Sequence, residues 1–139
     1  MPIIHRDTDY AFRALIHLAD SGRVVPVSEL SEHCDVPVDF LRKIMQKLNN
    51  AGIVCSVQGP SGGYGLERPP EEISFLEVVN VVQGPLMLNA CFEDPSICGN
   101  VPSCRVREKL KDLEAELQEW LGGLDITDVM EDVGELQEA

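Results

Sequence analysis

Apolar positions recur with a helical period through the first fifty residues of this chain. Ala11, Leu15, Leu18 and Ala19 fall three or four apart, which predicts a helix from Thr8 to Asp20 stopped at Ser21-Gly22. Ser28 is placed to cap a short second helix that runs to about Cys34. Asp35-Val36-Pro37 then turns the chain, because the residue before a proline is driven away from helical backbone. A third helix from Val38 to Asn50 turns Leu41, Ile44, Met45 and Leu48 inward and Asp39, Arg42, Lys43, Gln46 and Lys47 outward. Gly52 ends it as a left-handed stop.

The pattern then changes. Ile53–Val57 and Tyr64–Leu66 predict a short hairpin around Gln58-Gly59-Pro60-Ser61-Gly62-Gly63. A fourth helix covers Ser74 to Gln83, with Ser74 as cap and Glu77 at the capping-box position. From Arg105, Val106, Leu110, Leu113, Leu117 and Trp120 alternate four- and three-residue steps, a seam that wants a partner helix. Thr127 caps a last short helix before an acidic tail.

Helix, turn, helix and hairpin in that order predict a mostly α chain with a small β-hairpin wing. The expected fold is a winged helix–turn–helix plus a long dimerisation helix, so the chain pairs as a homodimer. Three parts follow: a winged helix–turn–helix DNA-binding domain over 1–83, a cysteine-containing loop over 84–104, and the dimerisation helix with its acidic tail over 105–139. At 139 residues and 44% hydrophobic the chain is long enough to bury a real core. No apolar run reaches eighteen residues, which argues against a membrane span. Met1 to Tyr10 lacks an apolar signal region, and the expected location is cytoplasmic.

Charge complicates a nucleic-acid reading. Residues 1–68 carry seven Lys/Arg against eight Asp/Glu, whereas 69–139 carry four against sixteen. Net acidity opposes generic binding to phosphates, yet leaves room for a specific reader with a local cationic patch. Arg42, Lys43 and Lys47 make that patch on the third helix, with Val38, Asp39 and Gln46 beside them. Ser28 and the wing residues Gln58, Gly59, Pro60, Ser61 and Gly62 complete the candidate contacts to double-stranded promoter DNA. The glycine run is no phosphate loop, since it joins strands and lacks the Lys-Ser/Thr ending. An enzyme is not expected: no nucleophile–base pair stands out, and His17 and His33 have no evident acid partner. A protein-interaction module with a vestigial winged helix is the rival reading that the acidity favours.

Five cysteines divide into two kinds. Cys34 follows Val27 and Leu30 on one helical face, Cys55 sits in the apolar run Ile53–Val57, and both read as small buried hydrophobes. Cys91, Cys98 and Cys104 fall in a segment rich in Pro, Gly, Asn and Ser, spaced C-x6-C-x5-C. Structural zinc favours C-x2–4-C pairs, which are absent. Three soft thiolates suit an iron–sulfur cluster with a fourth ligand from elsewhere, and equally suit a redox thiol pair.

Thr8-Asp9-Tyr10-Ala11, Phe40-Leu41-Arg42-Lys43-Ile44, Ala51-Gly52-Ile53-Val54, Gly59-Pro60-Ser61-Gly62-Gly63-Tyr64 and Cys104-Arg105 together resemble the IscR/NsrR family. The resemblance covers residues 1 to about 132 and implies a dimeric winged-helix transcription regulator, with the long helix in the dimer interface. It implies an iron–sulfur cluster, 4Fe–4S favoured over 2Fe–2S, on Cys91, Cys98 and Cys104. IscR-like members place a histidine ligand where this chain has Arg107, whose guanidinium stays protonated. NsrR-like members use an aspartate matching Asp9, given across the dimer, and that branch fits better. His5 is a weaker alternative ligand, and without the resemblance Asp9 or Asp7 reads as a helix cap. The resemblance implies a repressor that senses nitric oxide, oxygen or iron–sulfur status, with a small diatomic gas as its signal. Gln58 and Asn49-Asn50 stand where the family often has basic residues, so the operator is not transferable. A cluster-free regulator sensing thiol oxidation is the alternative within the same fold.

Overall fold

The computed structural model describes residues 2–130. Helix α1 spans Arg6–Ser21, two residues earlier than the periodicity places it. His5 precedes it without a side-chain cap, while Asp7 and Asp9 lie in the first turn, where carboxylates favour the helix dipole. Neither aspartate is the cap. Gly22, at φ 62°, donates its N–H to the Leu18 carbonyl and ends the helix.

Helix α2 runs Val27–Cys34, and its cap is Pro26 rather than Ser28. The proline ring fixes the extended backbone that a cap needs, and the Pro26 carbonyl takes the first helical bond from Leu30. Asp35 turns the chain at φ 56°, a left-handed conformation that a short polar side chain tolerates. Helix α3, Val38–Asn50, keeps the expected bounds and buries Leu41, Ile44, Met45 and Leu48. Gly52 at φ 74° closes it: Gly52 N–H reaches the Asn49 carbonyl and Ile53 N–H reaches Leu48. Ile53 therefore belongs to the helix stop, and strand β1 begins one residue later, at Val54.

β1 (Val54–Val57) pairs antiparallel with β2 (Gly63–Leu66), Val54 opposite Leu66 and Val57 opposite Gly63. Val25 exchanges two backbone bonds with Tyr64, which seats the hairpin against the entry to α2. Helix α4 (Phe75–Val82) has Ser74 as cap, accepting from Glu77 N–H at 3.1 Å. The capping box stays open, because the Glu77 carboxylate accepts from Arg68 instead.

After α4 comes a short helix α5 (Ala90–Glu93), two single turns at Pro95–Ile97 and Val101–Ser103, and the long helix α6 (Arg105–Gly122). Leu121 packs with Val79 and Leu86, and Ile126 enters the main core beside Leu15, Leu41 and Ile73. Phe75 N–H to Leu124 and Ile126 N–H to Ile73 stitch this end of the chain onto the start of α4. The last turn, Ile126–Val129, is capped by Asp125 with Asp128 closing the box, not by Thr127, whose N–H and hydroxyl both go to Asp125. The acidic tail lies outside the described residues. The fold is mostly helical with a two-stranded wing, as the pattern implies. Among the described residues no helix is long and apolar enough to cross a membrane.

Candidate functional site

Two places on the surface carry the residues singled out above. The first is a cleft of about 270 Å³ between α2, α3 and the wing. Ser28 at the start of α2, Arg42 of α3, and Gln58, Gly59 and Gly62 of the wing all line it, joined by Tyr64. The wing reaches this position because a Cβ on Gly63 would lie 2.1 Å from the Val25 carbonyl oxygen, so only glycine permits the approach. Asp39, Lys43 and Gln46 continue the exposed face of α3, with Val38 half-buried at its start and Pro60 and Ser61 at the exposed hairpin tip. Gln46 donates to Asn50 one turn on. The Arg42 guanidinium, the Ser28 hydroxyl and the Gln58 side-chain amide around one cleft can hold a backbone phosphate, while the outer face of α3 can meet base edges. Lys47 is turned aside: its ammonium donates to the Val82 carbonyl, at the end of α4.

The cysteines form the second place. Cys91 is half-buried in α5, Cys98 is exposed, and Cys104 caps α6, its Sγ accepting the Arg107 N–H at 3.3 Å. The ring of Phe92 lies under the Arg107 guanidinium and the Lys111 ammonium, each 5.4 Å from the ring centre, which holds α5 to α6. Leu88 N–H donates to Glu114 from the same side. Among the described residues of one chain, no three His, Cys, Asp or Glu side chains are gathered closely enough to hold a metal. The donor set still suits iron–sulfur chemistry, being three soft thiols, one of which already accepts an N–H from a helix start. Asp9 is exposed on α1 and paired with Arg13 at 3.1 Å, and His5 is exposed just before it.

The other two cysteines differ from each other. Cys34 is buried, and that burial pushes its thiol pKa up, which disfavours the reactive thiolate. Cys55 is only half-buried, on the wall of the cleft between α1 and the wing, because side chains alternate along the strand and its neighbour Val54 takes the core side.

Sequence reasoning missed three features. His17 does have an acid partner, Glu29, at 3.0 Å, and its ring stacks on His33. His17 and Arg23 together hold the Glu29 carboxyl below its ordinary value. Residues that far apart carry no common sequence signal. Gln83 was read only as a helix end; its side chain accepts from His5 N–H and the buried Thr8 hydroxyl and donates to the Ile3 carbonyl. A polar residue directly after the apolar pair Val81-Val82 is the one hint the sequence offered. The Phe92 clasp was missed because a lone aromatic in a polar loop has no period.

Residues 4–132 match the model of the Rrf2 family, described as an iron-dependent transcriptional regulator. A protein of Aquifex aeolicus (strain VF5), named as an HTH-type transcriptional regulator, is 31% identical over 124 residues, covering 87% of this chain and 86% of its own. The structure of T. potens IscR superposes with a TM-score of 0.77 at 22% identity, covering 98% of this chain and 91% of the other. CymR (YrzC), the global cysteine regulator of B. subtilis, gives 0.75 at 23% identity over 93% and 96%. At such identity the two structures establish the shared winged-helix fold. With the family model spanning nearly the whole described chain, this protein belongs to the Rrf2 family of DNA-binding transcriptional regulators.

Proposed function

We propose that this regulator is a homodimeric repressor of the NsrR-like kind, with an iron–sulfur cluster held by Cys91, Cys98 and Cys104 of one protomer and Asp9 of its partner. The supporting observation is a deficit of core. Residues 87–120 contain no buried residue, although they fold into α5, two turns and most of α6. Few contacts within the chain offset the conformational entropy of ordering a segment of that length, so contacts from outside the single chain would stabilise it. A second copy on the α6 seam and a cluster on the thiols supply both missing contacts. Helix α6 offers the seam by leaving Val106, Leu113 and Trp120 exposed.

When bound, the cluster would supply soft iron sites able to react with a small diatomic gas, 4Fe–4S being favoured over 2Fe–2S. The chain's own residues do the rest. Asp9 pairs with Arg13 through one carboxylate oxygen, which leaves its other oxygen available as a ligand. Arg42, Ser28 and the wing from Gln58 to Gly62 hold DNA phosphates, while Lys43, Gln46, Asp39 and Val38 lie along the groove-facing side. Without a cluster to tie them together, the 88–103 segment and α1 would be free to shift, which would change the angle between the two reading heads.

The test is anaerobic purification followed by absorbance, iron and sulfide measurement. A brown protein with matched iron and sulfide is expected, with colour lost in Cys98→Ala. A colourless protein that resists reconstitution would select the thiol-oxidation reading, which the exposed Cys98 favours.

A further inference from the structure

We propose that Lys47 is a positioning residue: it fastens the DNA-reading helix to the end of α4 instead of touching DNA. This rests on the reading of α3 as the DNA reader. The Lys47 Nζ donates to the Val82 carbonyl at 3.0 Å, thirty-five positions along the chain. Val82 is the last residue of α4, where the carbonyl lacks an intrahelical donor and the helix dipole presents its negative end. A cation is the fitting partner there. Around α3, Lys47 stands about 140° from Arg42, on the margin facing α4 rather than at the centre of the exposed face.

The same end of α4 also grips the N-terminal segment. Gln83, the next residue, accepts from His5 N–H at 2.8 Å and from the Thr8 hydroxyl at 2.7 Å, and donates to the Ile3 carbonyl at 2.9 Å. Thr8 is the one buried polar side chain among the described residues, so this clamp is internal to the fold. Gly84 follows at φ 92° and turns the chain towards the cysteine segment. Two consecutive residues thus hold α3 by a carbonyl and the Asp9-bearing segment by a side chain, with the cysteine segment attached directly behind them. Any shift of the cysteine segment or the α1 start pulls on Val82–Gln83 and reaches α3 through Lys47. The strut converts a local change at the sensor into a change in the pose of the reader.

Lys47→Met keeps the apolar stem and removes the donor; Lys47→Arg keeps a donor of similar reach. Binding to the DNA fragment upstream of the protein's own gene is measured against salt, and amide hydrogen exchange is measured without DNA. Lys47→Met is expected to weaken binding about three- to tenfold with the salt slope unchanged. Amides of residues 3–8 and 82–86 exchange faster, and Lys47→Arg restores both readouts. A slope reduced by about one, with exchange unchanged, overturns the proposal and makes Lys47 a phosphate contact. Arg42→Ala separates the two readings, since it is expected to lower the slope by about one. If Arg42→Ala changes nothing, the assignment of α3 as reader fails, and exchange alone decides whether Lys47 is a strut.

Discussion

Gly63→Ala should destabilise the protein by roughly 3 kcal/mol, about 10 °C in thermal midpoint, and abolish specific DNA binding. The added Cβ would fall 2.1 Å from the Val25 carbonyl oxygen and 2.8 Å from the Pro26 Cα, both backbone atoms that cannot rotate away. Something must move, and what moves is the wing. The Val25–Tyr64 bonds that seat it, at 2.8 and 2.9 Å, would break, and the cleft that brings Arg42, Ser28 and Gln58 together would open. Gly59→Ala is the control. Gly59 also has positive φ, 102°, but nothing lies within 4 Å of its Cβ direction, so only backbone strain of about 1 kcal/mol is expected. Thermal denaturation of both variants with gel shifts at fixed salt decides the matter. Equal losses of thermal midpoint in the two would mean that the close approach at Val25 is not what holds the wing; the gel shift is read on Gly63→Ala alone, because Gly59 itself lines the cleft.

That contrast also shows where the sequence was legible. Leu41, Ile44, Met45 and Leu48 repeat with one helical period, and Gly52 follows where a left-handed stop is needed, so α3 could be placed to the residue. The hairpin was equally plain from its glycine run. The seating of the wing was not, because Val25 pairs with Tyr64 as a single bridge and one residue carries no periodicity. Ser74 caps α4 as its position predicts, but two other expected caps failed for a related reason. Ser28 and Thr127 are good capping types, but Pro26 and Asp125 stand nearer the true helix starts and take the role. On α3 the sequence showed which residues face outward, yet outward is not the same as free. Lys47 is exposed along its stem while its ammonium is committed to α4, and only the fold brings Val82 within reach. The geometry of the cysteine segment was not legible, since the spacing of three thiols does not fix how α5 and the two turns between them fold.

The α6 seam carries the other large effect. Val106 is 65% exposed, Leu113 52% and Trp120 64%, at the spacing of a helix that packs along one face. Burying each is worth roughly 1.5–3 kcal/mol, and two-fold symmetry counts every position twice. Leu113→Glu, at the middle of the seam, should therefore leave the protein folded but monomeric at micromolar concentration. Its carboxylates would face each other in an apolar contact, where an unpaired charge costs several kcal/mol. Leu113 is outside both buried clusters, so the fold of one protomer loses little. DNA affinity should fall by about 10²-fold or more, because linked reading heads gain that much from binding the second half-site as an intramolecular event. Sedimentation velocity and gel shifts on the same samples test both halves. Asp112→Lys, one residue along on the solvent face, should remain dimeric. If Leu113→Glu still sediments as a dimer, the seam is not the interface, and the unburied 87–120 stretch must be covered by another surface. If it is monomeric yet binds DNA with undiminished affinity, each head reads its site alone, and cluster loss could not act by changing the angle between heads.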